Sequence, residues 1–367
     1  MRVGLVIERF APGAGGAENV AWQIARGLVR AGDEVVVVAR CARELPGIEL
    51  RRVAVSRAWQ PLRVARFDRE AAAVLSHEHL DCVLSLTRTR RQHVYRAGGG
   101  SHADYLLHRY GRWHRLLRAS PRHAVLLAAE RRIFRDPRQR ILCISQMVRD
   151  EIRERYRVPE QRLAVIHNGV DLERFHPRNR RRSGGRLRRE LDPGAGPRWL
   201  FAGSGFARKG LDTALRALAS ARAADARLWV AGRDAPGRWR RLARRLGVAN
   251  RVRFVGYRAD LPDLYAAADA LLLPSRYDAF ANVCLEAAAT GIPVVTSGAT
   301  GAAELFRDGG TVVEDPEDVA AFAAALDRLS DRVDRERRGA ACREIAAAFG
   351  WDSHVRALRE ELARAAA

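Results

Sequence analysis

The stretch Tyr277-Asp-Ala-Phe-Ala-Asn-Val-Cys-Leu-Glu-Ala-Ala-Ala-Thr-Gly-Ile-Pro-Val-Val-Thr-Ser297 decides how this chain is read. It sets two carboxylates, Asp278 and Glu286, eight positions apart. Before it, Ala270-Leu-Leu-Leu-Pro274 is a short apolar run ended by proline, the pattern of a buried strand. Asn282 to Thr290 reads as a helix closed by Gly291, and Pro293 to Thr296 as the next strand. Asp278 then falls on a loop at the carboxyl end of a strand, and Glu286 about two turns into the following helix. A helix N-terminus beside a parallel sheet offers free N–H groups and positive dipole to an anion. Carboxylates at such a place accept from hydroxyls. The combination suits a ligand with both phosphate and sugar hydroxyls, a sugar nucleotide. The plain alternative is two solvated acids on a packing helix.

A second motif agrees: Trp199-Leu-Phe-Ala-Gly-Ser-Gly-Phe-Ala-Arg-Lys-Gly210. A strand, Trp199 to Ala202, enters a glycine-rich loop, and a helix follows with Leu211, Leu215 and Leu218 on one face. Lys209 is the only lysine of the chain; every other one of its 65 basic residues is arginine. Arginine grips a phosphate bidentately, and lysine acts as a compact point charge. A weaker glycine cluster, Gly13, Gly15 and Gly16, joins a strand from Val3 to Glu8 to a helix from Ala17 to Ala31 with Val20, Ile24 and Leu28 in register. With a strand from Glu34 to Arg40 this makes a βαβ unit, hence a parallel sheet.

The alternation continues. Strands are expected at Cys82–Leu86, Arg140–Ser145 and Leu163–Ile166, then at Trp199–Ala202, Leu228–Ala231, Val252–Val255, Ala270–Leu273, Val294–Thr296 and Thr311–Val313. Three consecutive glycines, Gly98 to Gly100, permit close backbone approach, with His102 just beyond them. Pro177 to Pro197 is rich in Arg, Gly and Pro and reads as a mobile connection.

The 367 residues, 47% hydrophobic, suffice for two domains with their own cores. A net charge of +22 favours anionic partners. The five cysteines, with no Cys-x-x-Cys pair, argue against a metal site or a disulfide scaffold. The first apolar run is only strand-length, so neither a signal peptide nor a membrane span is expected.

The segment from Asp278 to Glu286 resembles the signature of the GT-B glycosyltransferases of family 4, where two glutamates stand with seven residues between them. Here Asp278 replaces the first glutamate, and Ala281 the glycine that usually follows Phe280. The Arg208-Lys209 pair and His167-Asn-Gly-Val-Asp171 resemble further motifs of that family. The stretches from Gly203 to Asp212 and from Tyr95 to His102 resemble its lipopolysaccharide-core glucosyltransferase branch. The resemblance implies an α/β protein with two Rossmann-like doubly wound domains facing across a cleft. It implies an acceptor-side domain over 1–170, a connection over 171–198 and a nucleotide-sugar domain over 199–350. A C-terminal helix over 352–367 would pack back on the first domain. It implies retaining transfer of a hexose from a nucleotide sugar, UDP-hexose first, to a membrane-linked glycan such as lipopolysaccharide core. Arg208 and Lys209 would bind the donor diphosphate in place of a metal. Glu286 would hold the ribose and Asp278 the hexose, with Gly203 and backbone groups from Ala279, Phe280, Ala281 and Asn282 completing the site. Gly15 and Gly16 would approach the donor phosphates, and His102 the reacting sugar. An acid found in that branch near the triglycine loop aligns with Gly99.

From Tyr105 to Arg118, arginines at 109, 112, 115 and 118 interleave with aromatic residues and leucines, an interfacial pattern. A protein peripheral to the inner face of the cell membrane is expected. Two rivals remain at this level: an epimerase or phosphorylase on the same fold, and a basic nucleic-acid-binding protein. The spread of the arginines and the lack of a recognised module speak against nucleic acid.

Overall fold

The computed structural model describes residues 1–13, 15–55, 59–111, 120–192 and 194–366. Two compact units emerge: Met1–Gly169 together with the C-terminal helix Trp351–Ala366, and Val170–Gly350.

The first unit carries β1 (Arg2–Val6), α1 (Gly16–Arg30), β2 (Glu34–Ala39), β3 (Ile48–Arg52), α2 (Gln60–Ser76), β4 (Cys82–Ser85), β5 (Val94–Ala97), α3 (His102–Tyr110), α4 (Pro121–Arg135), β6 (Arg140–Cys143), α5 (Gln146–Tyr156) and β7 (Leu163–Val165). Its sheet is parallel throughout, in the order β3-β2-β1-β4-β5-β6-β7. Helix α1 forms where Val20, Ile24 and Leu28 recur at helical spacing, and all three are buried. It ends before Gly32, whose φ of +85° suits only glycine well. The C-terminal helix lays Val355, Leu358 and Leu362 into the same core. Gly27 of α1 makes that approach possible, since a Cβ there would sit 2.3 Å from Val355.

The second unit carries α6 (Gly185–Leu191), β8 (Arg198–Ala202), α7 (Leu211–Ser220), β9 (Arg227–Ala231), α8 (Gly237–Arg245), β10 (Val252–Gly256), α9 (Leu261–Ala267), β11 (Ala270–Leu273), α10 (Asn282–Ala289), β12 (Val294–Ser297), β13 (Thr311–Val313), α11 (Val319–Ser330) and α12 (Arg332–Ala347). Its parallel sheet runs β10-β9-β8-β11-β12-β13. Strand order reverses between β1 and β4 in one sheet and between β8 and β11 in the other. Ligands of doubly wound sheets bind outside the strand ends at such reversals.

The stretch 177–197 departs from its reading as a mobile connection. Its described part includes α6, with Leu187 and Leu191 buried. Gly184 packs so closely on α9 that a Cβ would lie 2.6 Å from the Ala266 carbonyl oxygen. Asp269, also buried, accepts from Arg180 at 2.7 Å and Arg188 at 2.6 Å. A buried carboxylate orders the arginines that composition alone marks as solvated. Strand β5, Val94–Ala97, stands ahead of the triglycine loop and is not among the strands expected from the sequence. The basic aromatic segment is described only as far as Gly111; residues 112–119, with Arg112, Arg115 and Arg118, lie outside the described residues. Within the described part Leu106 is buried against Ala103 and Leu127, and Arg109 lies 5.3 Å from the Tyr110 ring centroid. Among the described residues no helix is long and apolar enough to cross a membrane.

Candidate active site

Two neighbouring loops of the second unit build the site, one after β8 and one after β11. The first turns through Gly203 and Gly205, at φ +127° and +82°, and reaches α7 through Gly210 at +74°. A Cβ on Gly203 would lie 2.6 Å from Cε of Lys209, so the glycine lets the lysine chain cross the loop. At Gly210 a Cβ would fall 1.8 Å from the Pro274 carbonyl oxygen, which locks the two loops together. The Arg276 N–H adds a bond to the Arg208 carbonyl oxygen at 2.8 Å.

Asp278 is where the two loops meet chemically. Its Oδ2 accepts from Lys209 Nζ at 2.9 Å and from Arg208 Nη1 at 3.0 Å. Its Oδ1 accepts from the backbone N–H of Ala281 at 2.8 Å and of Phe280 at 3.3 Å. Burial pushes this carboxyl up, but Lys209 and then Arg208 outweigh burial and hold it well below the usual carboxylate range. Ala281, at φ +61°, occupies the left-handed region that favours glycine. It precedes Asn282, the first residue of α10. In this state Asp278 therefore takes the N–H groups and both cations for itself.

Glu286 points from α10 toward Tyr265 of α9, whose hydroxyl donates to Oε2 at 2.9 Å. Its Oε1 has no protein partner among the described residues. Burial raises the Glu286 carboxyl, opposed by the Tyr265 bond and the charges of Arg174 and Lys209. Tyr265 escapes sequence reading, because nothing in its alanine-rich neighbourhood marks it. Asp234 escapes it too, yet it accepts from the N–H groups of Gly205 at 2.7 Å and Phe206 at 3.2 Å and shapes the first loop.

The remaining candidates belong to the first unit. Gly15 and Gly16 open α1, whose first turn has no side-chain cap. His102 opens α3 and is largely buried; its Nε2 lies 3.0 Å from Nδ1 of His123. Burial, then the charge of Arg88, push His102 down to about 4, partly opposed by Glu130. Fully buried Glu130, also missed, takes the His102 N–H at 2.6 Å and Arg88 Nη2 at 2.9 Å. An internal carboxylate thus occupies the N-terminus of α3.

A nucleotide-type α/β fold, repeated, with cations and acids on the loops at one sheet's reversal, defines the GT-B class. Residues 196–332 match the model of the glycosyl transferases group 1, and residues 14–174 that of glycosyltransferase family 4. The glycogen synthase of Mycobacterium tuberculosis is 30% identical over 351 residues, which cover 92% of this chain and 74% of that one. The D-inositol 3-phosphate glycosyltransferase of Streptomyces bingchenggensis is 34% identical over 242 residues, 62% of this chain and 53% of the relative; the chain spans about half its length. The crystal structure of WaaG, a glycosyltransferase involved in lipopolysaccharide biosynthesis, superposes with a TM-score of 0.84 at 25% identity, covering 98% of this chain and 99% of that one. The chain belongs to the GT-B glycosyltransferases of group 1, family 4.

Proposed function

We propose that the chain moves a hexose from a nucleotide sugar, UDP-hexose first, to a membrane-linked glycan with retention of anomeric configuration. The observation that carries this is the convergence of Arg208, Lys209 and Asp278 where the order of the second sheet reverses. Arriving diphosphate takes over the two cations that Asp278 holds in the free protein. Charge grows on the leaving phosphate as the glycosidic bond breaks, and preorganised cations there stabilise the transition state by several kcal/mol. They do so in place of a divalent metal. Glu286 Oε1 accepts from the ribose hydroxyls. Asp278, once released, accepts from the hexose. Gly15 and Gly16 approach the donor phosphates, and His102 orients the acceptor side. A retaining front-face route asks for no protein nucleophile, since the leaving phosphate can take the acceptor proton. The net charge of +22 supports an acceptor held at an anionic membrane surface.

The test is a panel of nucleotide sugars, read by thermal stabilisation and by consumption with and without acceptor. Stabilisation by UDP-hexose and acceptor-dependent consumption are expected. Consumption without acceptor makes the protein an epimerase. Complete loss of activity in EDTA, restored by Mg²⁺, removes the metal-free route. Equal binding to neutral and anionic vesicles, or to neither, removes the membrane step alone.

A further inference from the structure

Helix α8 carries Arg238, Arg240, Arg241, Arg244 and Arg245 and no acid. All five are exposed, and none makes an ion pair with a carboxylate among the described residues. Aromatic rings hold two of them: Arg238 lies 4.1 Å from the Trp239 ring centroid, and Arg240 5.6 Å from that of Phe254. Helix α12 is also rich in arginine, but there Arg332 meets Glu336 at 2.8 Å and Arg337 meets Asp334. The cations of α8 repel one another with no internal counter-charge, so an outside anion is favoured there.

Beside α8 runs β10, the edge of the second sheet, with no strand on its outer side among the described residues. Its residues are half-buried or exposed, while those of β8 are buried throughout. A cleft of about 480 Å³ lies between the two elements, lined by Arg240 and Arg244 of α8 and by Val252, Arg253 and Phe254 of β10. Arg253 finds only an uncharged partner, the Leu191 carbonyl oxygen. A second cleft of about 390 Å³, among Arg238, Arg241, Arg244 and Arg245, shares Arg244 with the first. Unneutralised cations thus border an open strand edge.

We infer that α8 and the edge of β10 form a docking surface for an extended acidic segment of a partner protein. The segment adds a strand to β10 and sets its carboxylates on Arg240, Arg244 and Arg253, with an apolar side chain against Phe254. A free strand edge offers both N–H and C=O groups, and only a polypeptide backbone answers with acceptors and donors in step. A DNA backbone brings acceptors alone, and a flat bilayer meets the arginine tips and leaves the cleft empty. A second copy of this chain, itself at +22, is repelled. Guanidinium forks match carboxylates bidentately. Neither α8 nor β10 carries Arg208, Lys209, Asp278 or Glu286, so the surface is independent of the transferase reading.

The full chain is titrated with a peptide of alternating glutamate and valine, with the same peptide N-methylated at alternate residues, with duplex DNA and with phosphatidic acid vesicles. The plain peptide should bind and slow amide exchange in residues 252–256. The N-methylated peptide, which lacks the ladder donors, should bind at least tenfold more weakly. So should the plain peptide to the variant Arg240→Gln, Arg241→Gln, Arg244→Gln. A control that loses three acid-paired arginines of the same unit, Arg307→Gln, Arg332→Gln, Arg337→Gln, should bind as the wild type does. Equal loss in the control reduces the effect to net charge and overturns the inference. Equal binding of the N-methylated peptide, or no slowed exchange in residues 252–256, also overturns it, whether or not the α8 variant folds. DNA or vesicles held through these arginines while the peptide is ignored would assign the surface to nucleic acid or membrane instead.

Discussion

Asp278 ties the two loops of the site together. Where the family pattern has a glutamate, this acid lies on Lys209, Arg208 and the Ala281 N–H. It therefore competes with the donor diphosphate for the same two cations. Asp278→Asn removes that competition and the two charge-assisted bonds to Lys209 and Arg208, worth ~1.5–3 kcal/mol each. The variant should be less stable toward urea yet bind UDP at least as tightly as the wild type; weaker binding of UDP would show that the acid helps the diphosphate rather than rivals it. Lys209→Ala acts on the other partner. It should lower kcat by more than it raises the dissociation constant of UDP, because the charge it meets is greatest in the transition state. Equal effects on both would make Lys209 a binding residue only. Glu286→Gln keeps the shape and removes the charge on Oε1 and Oε2. The donor dissociation constant should rise about tenfold, which calorimetric titration reads directly.

At the scale of elements, legibility follows how local the signal is. Helices α1 and α7 declare themselves through Val20, Ile24 and Leu28, and through Leu211, Leu215 and Leu218, all buried as the spacing predicts. Arg208, Lys209, Asp278 and Glu286 are legible because each sits within a strand–loop–helix motif that is continuous in sequence. Helix α6 is hidden because only two leucines carry its burial, amid arginines that a distant carboxylate, Asp269, orders. Tyr265 and Glu130 are hidden for the same reason: their partners, Glu286 and the start of α3, are 21 and 28 residues away. Glu130 also yields a prediction. It holds Arg88 and the first N–H groups of α3 in a fully buried place. Glu130→Ala leaves that cation and those donors unpaired and should destabilise the chain by about 3–5 kcal/mol in urea titration. A loss below about 1 kcal/mol would mean that water replaces the carboxylate.

Over the whole molecule, the two units should respond to acid in different pH ranges. The first buries two neutral histidines, His102 and His354, each pushed down to about 4. A depressed folded-state value means that the unfolded chain binds the proton first. The stability from each is complete above about 6.5 and is lost as pH falls toward 4, roughly 3 kcal/mol each. His123, also lowered, acts in the same direction. The second unit has Asp278, whose depressed carboxyl keeps its contribution above the ordinary carboxylate range and loses it only in stronger acid. Glu286 is raised, so the folded unit takes up its proton more readily than the unfolded chain, and mild acid relieves its burial. Between pH 6.5 and 4 the first unit should therefore weaken while the second holds. Calorimetry across that range should show a single transition near neutrality resolving into two, the lower one moving down with pH. Replacing His354 by Asn should flatten the lower transition's pH dependence by about half; an unchanged slope would assign the effect to other groups.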